Sequence, residues 1–477
     1  MATSENQGGP TRRTLLTASA VTAAAAVTAP AVAAPAATAN NGQDGPGSPI
    51  RAQSPDRELR ELLREIDPDR IEATVTRLAA FGTRHTLSSQ DDPVRGIGAA
   101  RDWIFDRLTE YAAASGGRMT VQKQSFVQPV SPRIPTPTVI TNVIATLRGD
   151  TEPNRTYVIT GHYDSRCTDV MDFTSDAPGA DDDASGVAVI MELARVFATR
   201  HTEATLVFGA VAGEEQGLYG STFMATQMKA AGVDMQGMFS NDIVGSSTDE
   251  DGNRDRRTLR MFTEGVPTTE TAAEAATRRA VGGEVDSSSR QLGRFVLSVA
   301  DNGHTGMNIR SIYRRDRYLR SSDHVSFLNQ TWPAGRFTEP AENYAHEHQN
   351  VRIENGIQFG DLVEFCDFDY ITRVAKVNAS VLWSLAQAPG TPKSVVIVTT
   401  TLTNDSALHW APSPAADLDG YEIVWRETTS PEWQFAIPVG TATAATVDLV
   451  KDNVFIGVRA VDVDGHYSPV AFPVPGA

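Results

Sequence analysis

Three apolar runs near the middle of the chain alternate with helix-length segments, and this alternation constrains the fold more than any other feature of the 477 residues. RTYVITGHYDS (155 to 165), ATLVFGAVAG (204 to 213) and MQGMFSNDIVG (235 to 245) are strand-length. Residues 184 to 200 and GLYGSTFMATQMKAAG (217 to 232), which separate them, carry helical spacing. Strands spaced by helices pair in parallel and take helices on both faces, with ligands at the strands' C-terminal ends. The predicted class is α/β, a mixed and mostly parallel sheet flanked by helices. Upstream, DRELRELLREIDPDRIEATVTRLAAF (56 to 81) has helical periodicity punctuated by Pro68, GIGAARDWIFDRLTEYAAA (96 to 114) reads as a helix, and RMTVQKQSFV and PTVITNVIATLRG read as strands.

Two ends of the chain have a different character. Residues 1 to 39 join Arg12 and Arg13 to an Ala/Val/Leu-rich stretch and small-residue cleavage options, too short and too broken by threonine and Pro30 to span a bilayer. This predicts a twin-arginine export signal, with a general secretory signal as the alternative, and hence a secreted protein without a membrane span. A Pro/Gly/Ser/Gln linker follows over 40 to 54. From about 392 to 477 the helices stop, and short alternating strands with turn signals predict a small antiparallel β-sandwich. Its order of Trp410, GYEIVWR (420 to 426) and GVRAVDVDGHYSP (457 to 469) resembles a fibronectin type III domain. The sandwich says nothing of its partner, and a spacer role is preferred. The formal charge of −17 leaves no basic excess for a nucleic-acid partner. Cys167 and Cys366 are the only cysteines, and spacing does not decide whether they meet.

Acids and histidines collect where the central strands end. GHYDS sets His162 and Asp164 on one face of a strand terminus, so Asp164 can hold the ring of His162 as carboxylates hold metal-bound histidines; a surface pair is the plainer alternative. GADDDASG places Asp181, Asp182 and Asp183 at the mouth of an apolar helix. The helix dipole offsets under about 2 kcal/mol of their repulsion, and N-capping accounts for one or two of them. A divalent ion suffices for all three. Glu214 and Glu215 follow the next strand, and their diverging side chains suit one to a metal and the other to proton transfer. SNDIVG adds Asp242, and ENYAHEHQNV adds His346 and His348 beyond a loop-rich stretch over 243 to 345.

The ordered set H-x-D, GADDDASG, GEE and D, closed by a late Y-x-H-x-H, resembles the M28 family of zinc peptidases over residues 55 to 388, the secreted bacterial aminopeptidases above all. The resemblance implies two zinc ions, one on His162 and Asp242, the other on Glu215 and a late histidine, bridged by Asp182. It also implies a peptide bond before Asp183 that is often cis in the family, Glu214 as general acid/base, help to the oxyanion from Tyr344, and peptide or protein N-termini as substrate. The late motif departs from the family's usual Tyr-His or His-Thr with a nearby aspartate; His348 is preferred to His346. Asp323 and His324 look like a structural Ser-Asp segment, His85 like a packed histidine. Competing readings are a carboxypeptidase, for which YRRDRYLR (313 to 320) supplies arginines, a glutaminyl cyclase-like enzyme, and a catalytically dead binding scaffold.

Overall fold

Eight strands form the central sheet of the computed structural model, which describes residues 45 to 477; the expected export signal lies outside the described residues. Across the sheet the strands run Met119–Gln128, Thr138–Leu147, Ala204–Val211, Glu152–His162, Asp234–Asn241, Ala334–Thr338, Thr258–Phe262 and Asn308–Ile312. Glu152–His162 pairs in parallel with both neighbours, and Asp234–Asn241 with Ala334–Thr338. Met119–Gln128 and Thr138–Leu147 form an antiparallel edge, and Thr258–Phe262 returns antiparallel beside Ala334–Thr338. The sheet is therefore mixed: a parallel run lies at its centre, as the alternation of strands and helices predicts, and Thr258–Phe262 also pairs in parallel with the edge strand Asn308–Ile312.

Alternate side chains on each central strand feed two cores. Tyr157, Ile159, Leu206 and Phe208 face the helices Pro68–Ala79, Gly186–Phe197 and Phe368–Gln387, whereas Val158, Val207 and Met238 face Tyr219–Ala230 and His324–Leu328. Both faces being covered, these strands have no wet side, which is why their sequences run apolar without alternation.

The stretch 243 to 345 departs from expectation. Instead of loops it holds the strands Thr258–Phe262, Asn308–Ile312 and Ala334–Thr338 and the helices Ala272–Ala280, Ser288–Ala300 and His324–Leu328. Its strands carry arginines that look exposed in sequence, yet Arg336 is fully buried against Asp242 and Asp316.

Beyond the last helix, two four-stranded sheets enclose Trp410, Tyr421, Ile423, Trp425, Ile456 and Val458. Two details correct the expectation. The sandwich is not wholly antiparallel, because Val396–Val398 pairs in parallel with Val474–Gly476. The described part of the expected linker is no free tether either: Ser48–Pro49 adds an edge strand to Phe435–Gly440, and the Trp425 indole donates to the Pro46 carbonyl at 2.7 Å. The sandwich rests on Ser288–Ala300, where buried Asp286 accepts from Arg294 at 2.7 Å and from the sandwich's Arg426 at 2.7 Å. Cys167 and Cys366 are both free thiols.

Candidate metal centre

Two glycines explain how the acidic triplet reaches the strand ends. A Cβ on Gly161 would lie 2.6 Å from the Gly186 backbone, and one on Gly186 only 2.3 Å from the Asn241 carbonyl. Without side chains there, the start of helix Gly186–Phe197 sits directly on two parallel strands, and the triplet before it is carried to the termini that bear His162 and Asp242.

The three aspartates then do three different things. Asp181 Oδ1 accepts from Gly245 N at 2.6 Å and its carboxyl meets Glu339; burial lifts Asp181 to about 7 and Glu339 well above the usual carboxylate range. Asp183 is a clamp, accepting from His162 N at 2.9 Å and Gly186 N at 3.1 Å. Only Asp182 keeps its carboxylate open. Its Oδ1 is 3.0 Å from His162 Nε2 and its Oδ2 2.6 Å from His348 Nε2. Burial alone would raise Asp182, but His348 and His162 hold it well below the ordinary range. The Asp182–Asp183 peptide is cis. The backbone N–H groups of Asp181 and Asp182 both donate to Asp361, at 2.7 and 2.8 Å, which fixes the direction of the triplet.

Around Asp182 the side chains gather into two groups whose ligand atoms lie within 4.8 Å of one another: His162 with Glu214 and Asp242, and Asp182 with Glu215 and His348. His348 Nε2 is also 3.0 Å from Glu215 Oε1. His346 belongs to neither, being stacked on Phe365 with ring centroids 3.5 Å apart. Among the described residues, Asp182 Oδ1, Glu215 Oε1 and His348 Nε2 are all buried without a hydrogen-bond partner. Three orphaned ligand atoms converging on one space fit a bound cation, since buried polar atoms are otherwise satisfied. Electrostatics agree. Burial disfavours a charged His162, yet Asp164 and Asp182 outweigh it and hold its pKa well above the ordinary value. Half-buried Glu214 is lifted well above the carboxylate range by desolvation, with Asp242 and Glu215 adding to the effect.

Asp164 does more than its expected part. The ring of His162 sits closer to the Asp164 carbonyl, 3.1 Å from Nδ1, than to its carboxylate at 3.7 Å. The carboxylate also accepts from the backbone of Glu214 at 3.3 Å and Glu215 at 3.2 Å and from the Thr86 hydroxyl at 3.1 Å. It positions the glutamate pair. Tyr344 is half exposed with its hydroxyl 3.3 Å from Arg320, His85 is packed with Nε2 2.9 Å from the Val170 carbonyl, and His324 bonds the Arg315 carbonyl at 2.8 Å. Sequence reasoning missed Asp361, Arg336, Glu339 and Arg166, none of which lies in a recognisable motif.

The sequence profile of peptidase family M28 matches residues 142–357. A probable zinc metalloprotease of Leptosphaeria maculans is 52% identical over 423 residues, spanning 89% of this chain and 98% of its own length. The chain belongs to peptidase family M28. A second probable zinc metalloprotease, from Pyricularia oryzae, is 53% identical over 92% of this chain and 89% of its own. Both relatives are fungal, unlike the secreted bacterial type that the motifs suggest. The Legionella pneumophila LapA aminopeptidase shares the fold, with a TM-score of 0.51 at 19% identity over 69% of this chain and 74% of that one. In this M28 zinc metalloprotease the imidazoles and carboxylates of the two groups are of the kinds that hold zinc, and Glu214 is one carboxylate more than the sequence motifs assign to the metal.

Proposed function

We propose that the protein is a two-zinc aminopeptidase, exported by the twin-arginine route, which removes N-terminal residues from peptides. The observation that carries this reading is the pair of ligand groups meeting at Asp182, each of whose oxygens lies against a different histidine. His162, Asp242 and Asp182 would hold one zinc and Asp182, Glu215 and His348 the other. Zinc so bound would supply Lewis-acid charge for the scissile carbonyl and acidify water toward a pKa of about 7.

The chain's own residues do the rest. Glu214 takes a proton from the attacking water as its oxygen bonds to the carbonyl carbon, then delivers a proton to the nitrogen as the C–N bond breaks. Asp164, through the backbone of Glu214 and Glu215, keeps the base aimed. A substrate ammonium is favoured beside the carboxylates of Glu214 and Asp242. The carboxypeptidase reading loses ground because two arginines of 313 to 320 are already engaged: Arg317 with Asp316 and Glu342, and Arg320 with Glu342 and Glu347. For the sandwich we retain the likeness to fibronectin type III and read it as a support for the catalytic unit.

The test uses single-residue aminoacyl chromogenic substrates with N-blocked controls. Cleavage of free-amine substrates only, abolished by chelation and restored by zinc, is expected. Equal cleavage of N-blocked substrates would contradict the aminopeptidase reading.

A further inference from the structure

The two zinc-ligating histidines have opposite surroundings on the far side of their rings. Nδ1 of His162 faces a carbonyl oxygen, Asp164 O, at 3.1 Å. Zinc on Nε2 would leave the ring's hydrogen on Nδ1, facing that acceptor, as in metal-bound histidines generally. Nδ1 of His348 instead faces Nη2 of Arg166 at 2.7 Å. A guanidinium has donors only, so it offers Nδ1 of His348 no acceptor, while Nε2 lies 2.6 Å from Asp182 Oδ2 and 3.0 Å from Glu215 Oε1. The remaining contacts of Arg166 run to Glu215 Oε2 at 2.9 Å and the Cys167 carbonyl at 3.4 Å. One arginine thus touches two of the three ligands of one zinc position, and its described contacts include none of the ligands of the other.

We propose that Arg166 is a built-in competitor cation for the zinc position formed by Asp182, Glu215 and His348, so that this position binds zinc more weakly than the one at His162. The inference rests on the two-zinc reading. Zinc on Nε2 of His348 would leave the neutral ring's hydrogen on Nδ1, where it confronts Nη2 of Arg166 2.7 Å away. The guanidinium has to withdraw. Its positive charge also repels the incoming dication at short range, a cost that water does little to screen inside a mostly buried cluster. Arg166 is thus a neighbour that His348 and Glu215 share, and an opponent of the metal that those two side chains would bind.

A merely structural arginine and a competitor predict opposite signs. Apo-protein is titrated with zinc against a chromogenic chelator, giving both dissociation constants without any turnover measurement. Wild type is expected to take up two zincs in a stronger and a weaker step. R166Q, and R166A should the glutamine variant fold poorly, should tighten the weaker step by about tenfold or more and leave the stronger one unmoved. R166K, which keeps the charge, should stay within about threefold of wild type. H348A should abolish the weaker step, and adding R166Q to it should change nothing further. A weaker step that is unchanged or loosened in the neutral variants overturns the role of Arg166 while leaving two zincs intact, as does an equal tightening of both steps. Uptake of a single zinc by wild type overturns both readings.

Discussion

Asp181, Asp182 and Asp183 are chemically identical neighbours with different fates, decided by what each oxygen meets. Asp181 meets another buried acid, Asp183 meets two backbone donors, and Asp182 meets two imidazoles. At this scale two substitutions discriminate. Glu214→Gln removes a proton carrier without removing a volume, so it should keep zinc and the fold while turnover drops by about 10² to 10⁴; zinc content and rate measured on one preparation check this. Asp361→Asn should leave one of the two N–H donors of Asp181 and Asp182 unmatched, lowering zinc affinity by about 10- to 100-fold and stability by about 1 to 3 kcal/mol. Chelator competition and urea unfolding measure the two effects. His162, Asp182, Glu214, Glu215 and Asp242 were legible as candidates because each sits in a local motif at the end of an element, and His348 because it belongs to the Y-x-H-x-H run, though that run lies between elements. Asp361, Arg166 and Arg336 were not, because their meaning lies in partners about 180 residues away for Asp361 and Arg166, and 94 away for Arg336.

Elements bring these side chains together through close backbone packing. Helix Gly186–Phe197 can lie on the strand ending at His162 only because Gly161 and Gly186 have no Cβ. Gly186→Ala puts a methyl into the Asn241 carbonyl, so the helix must retreat. Overpacking of this kind costs about 1 to 3 kcal/mol, and Asp182 moves with the helix; a lowered melting temperature accompanied by weakened zinc binding is expected. The central strands and their helices were visible as apolar runs spaced by helical ones. Thr258–Phe262, Asn308–Ile312 and Ala334–Thr338 were not, since five-residue strands containing Arg260, Arg310 and Arg336 mimic exposed loops. For two of those arginines the charge is matched inside the fold, Arg260 by Glu342 and Arg336 by Asp242 and Asp316, and no reading of neighbouring residues reveals such a match.

In the whole molecule, the sandwich and the catalytic unit are joined by buried charge rather than by a tether. Asp286 is held by Arg294 and Arg426, and His466 reaches across to Asp56, which also takes the Trp383 indole at 2.7 Å. Removing Arg426 leaves buried Asp286 with Arg294 alone and its Oδ2 without that donor, so Arg426→Met should lower unfolding stability by about 1 to 3 kcal/mol, as read from urea midpoints. The His466 contact adds a pH signature. Burial works against the charges, but hydrogen bonds to Asp462 and Asp56 carry His466 up from 6.5 to about 10, while His466, Leu59 N and Trp383 bring Asp56 down from 3.8 to about 2. The histidine's contribution is complete below 6.5 and fades as pH rises through 10; the aspartate's is complete above 3.8 and fades as pH falls through 2. His466→Gln should therefore depress the melting temperature most near pH 6 and progressively less toward pH 10. The sandwich itself was legible from its turn-spaced strands, whereas its docking was not, because each joining residue is unremarkable in its own segment. All of this architecture serves one cluster of acids and imidazoles that is coherent only around positive charge. The most direct measurement is zinc counted per chain against peptide hydrolysis as metal is returned to chelated protein. Activity that rises with zinc and saturates at two ions per chain is the predicted result; full hydrolysis by folded protein carrying no transition metal would contradict it.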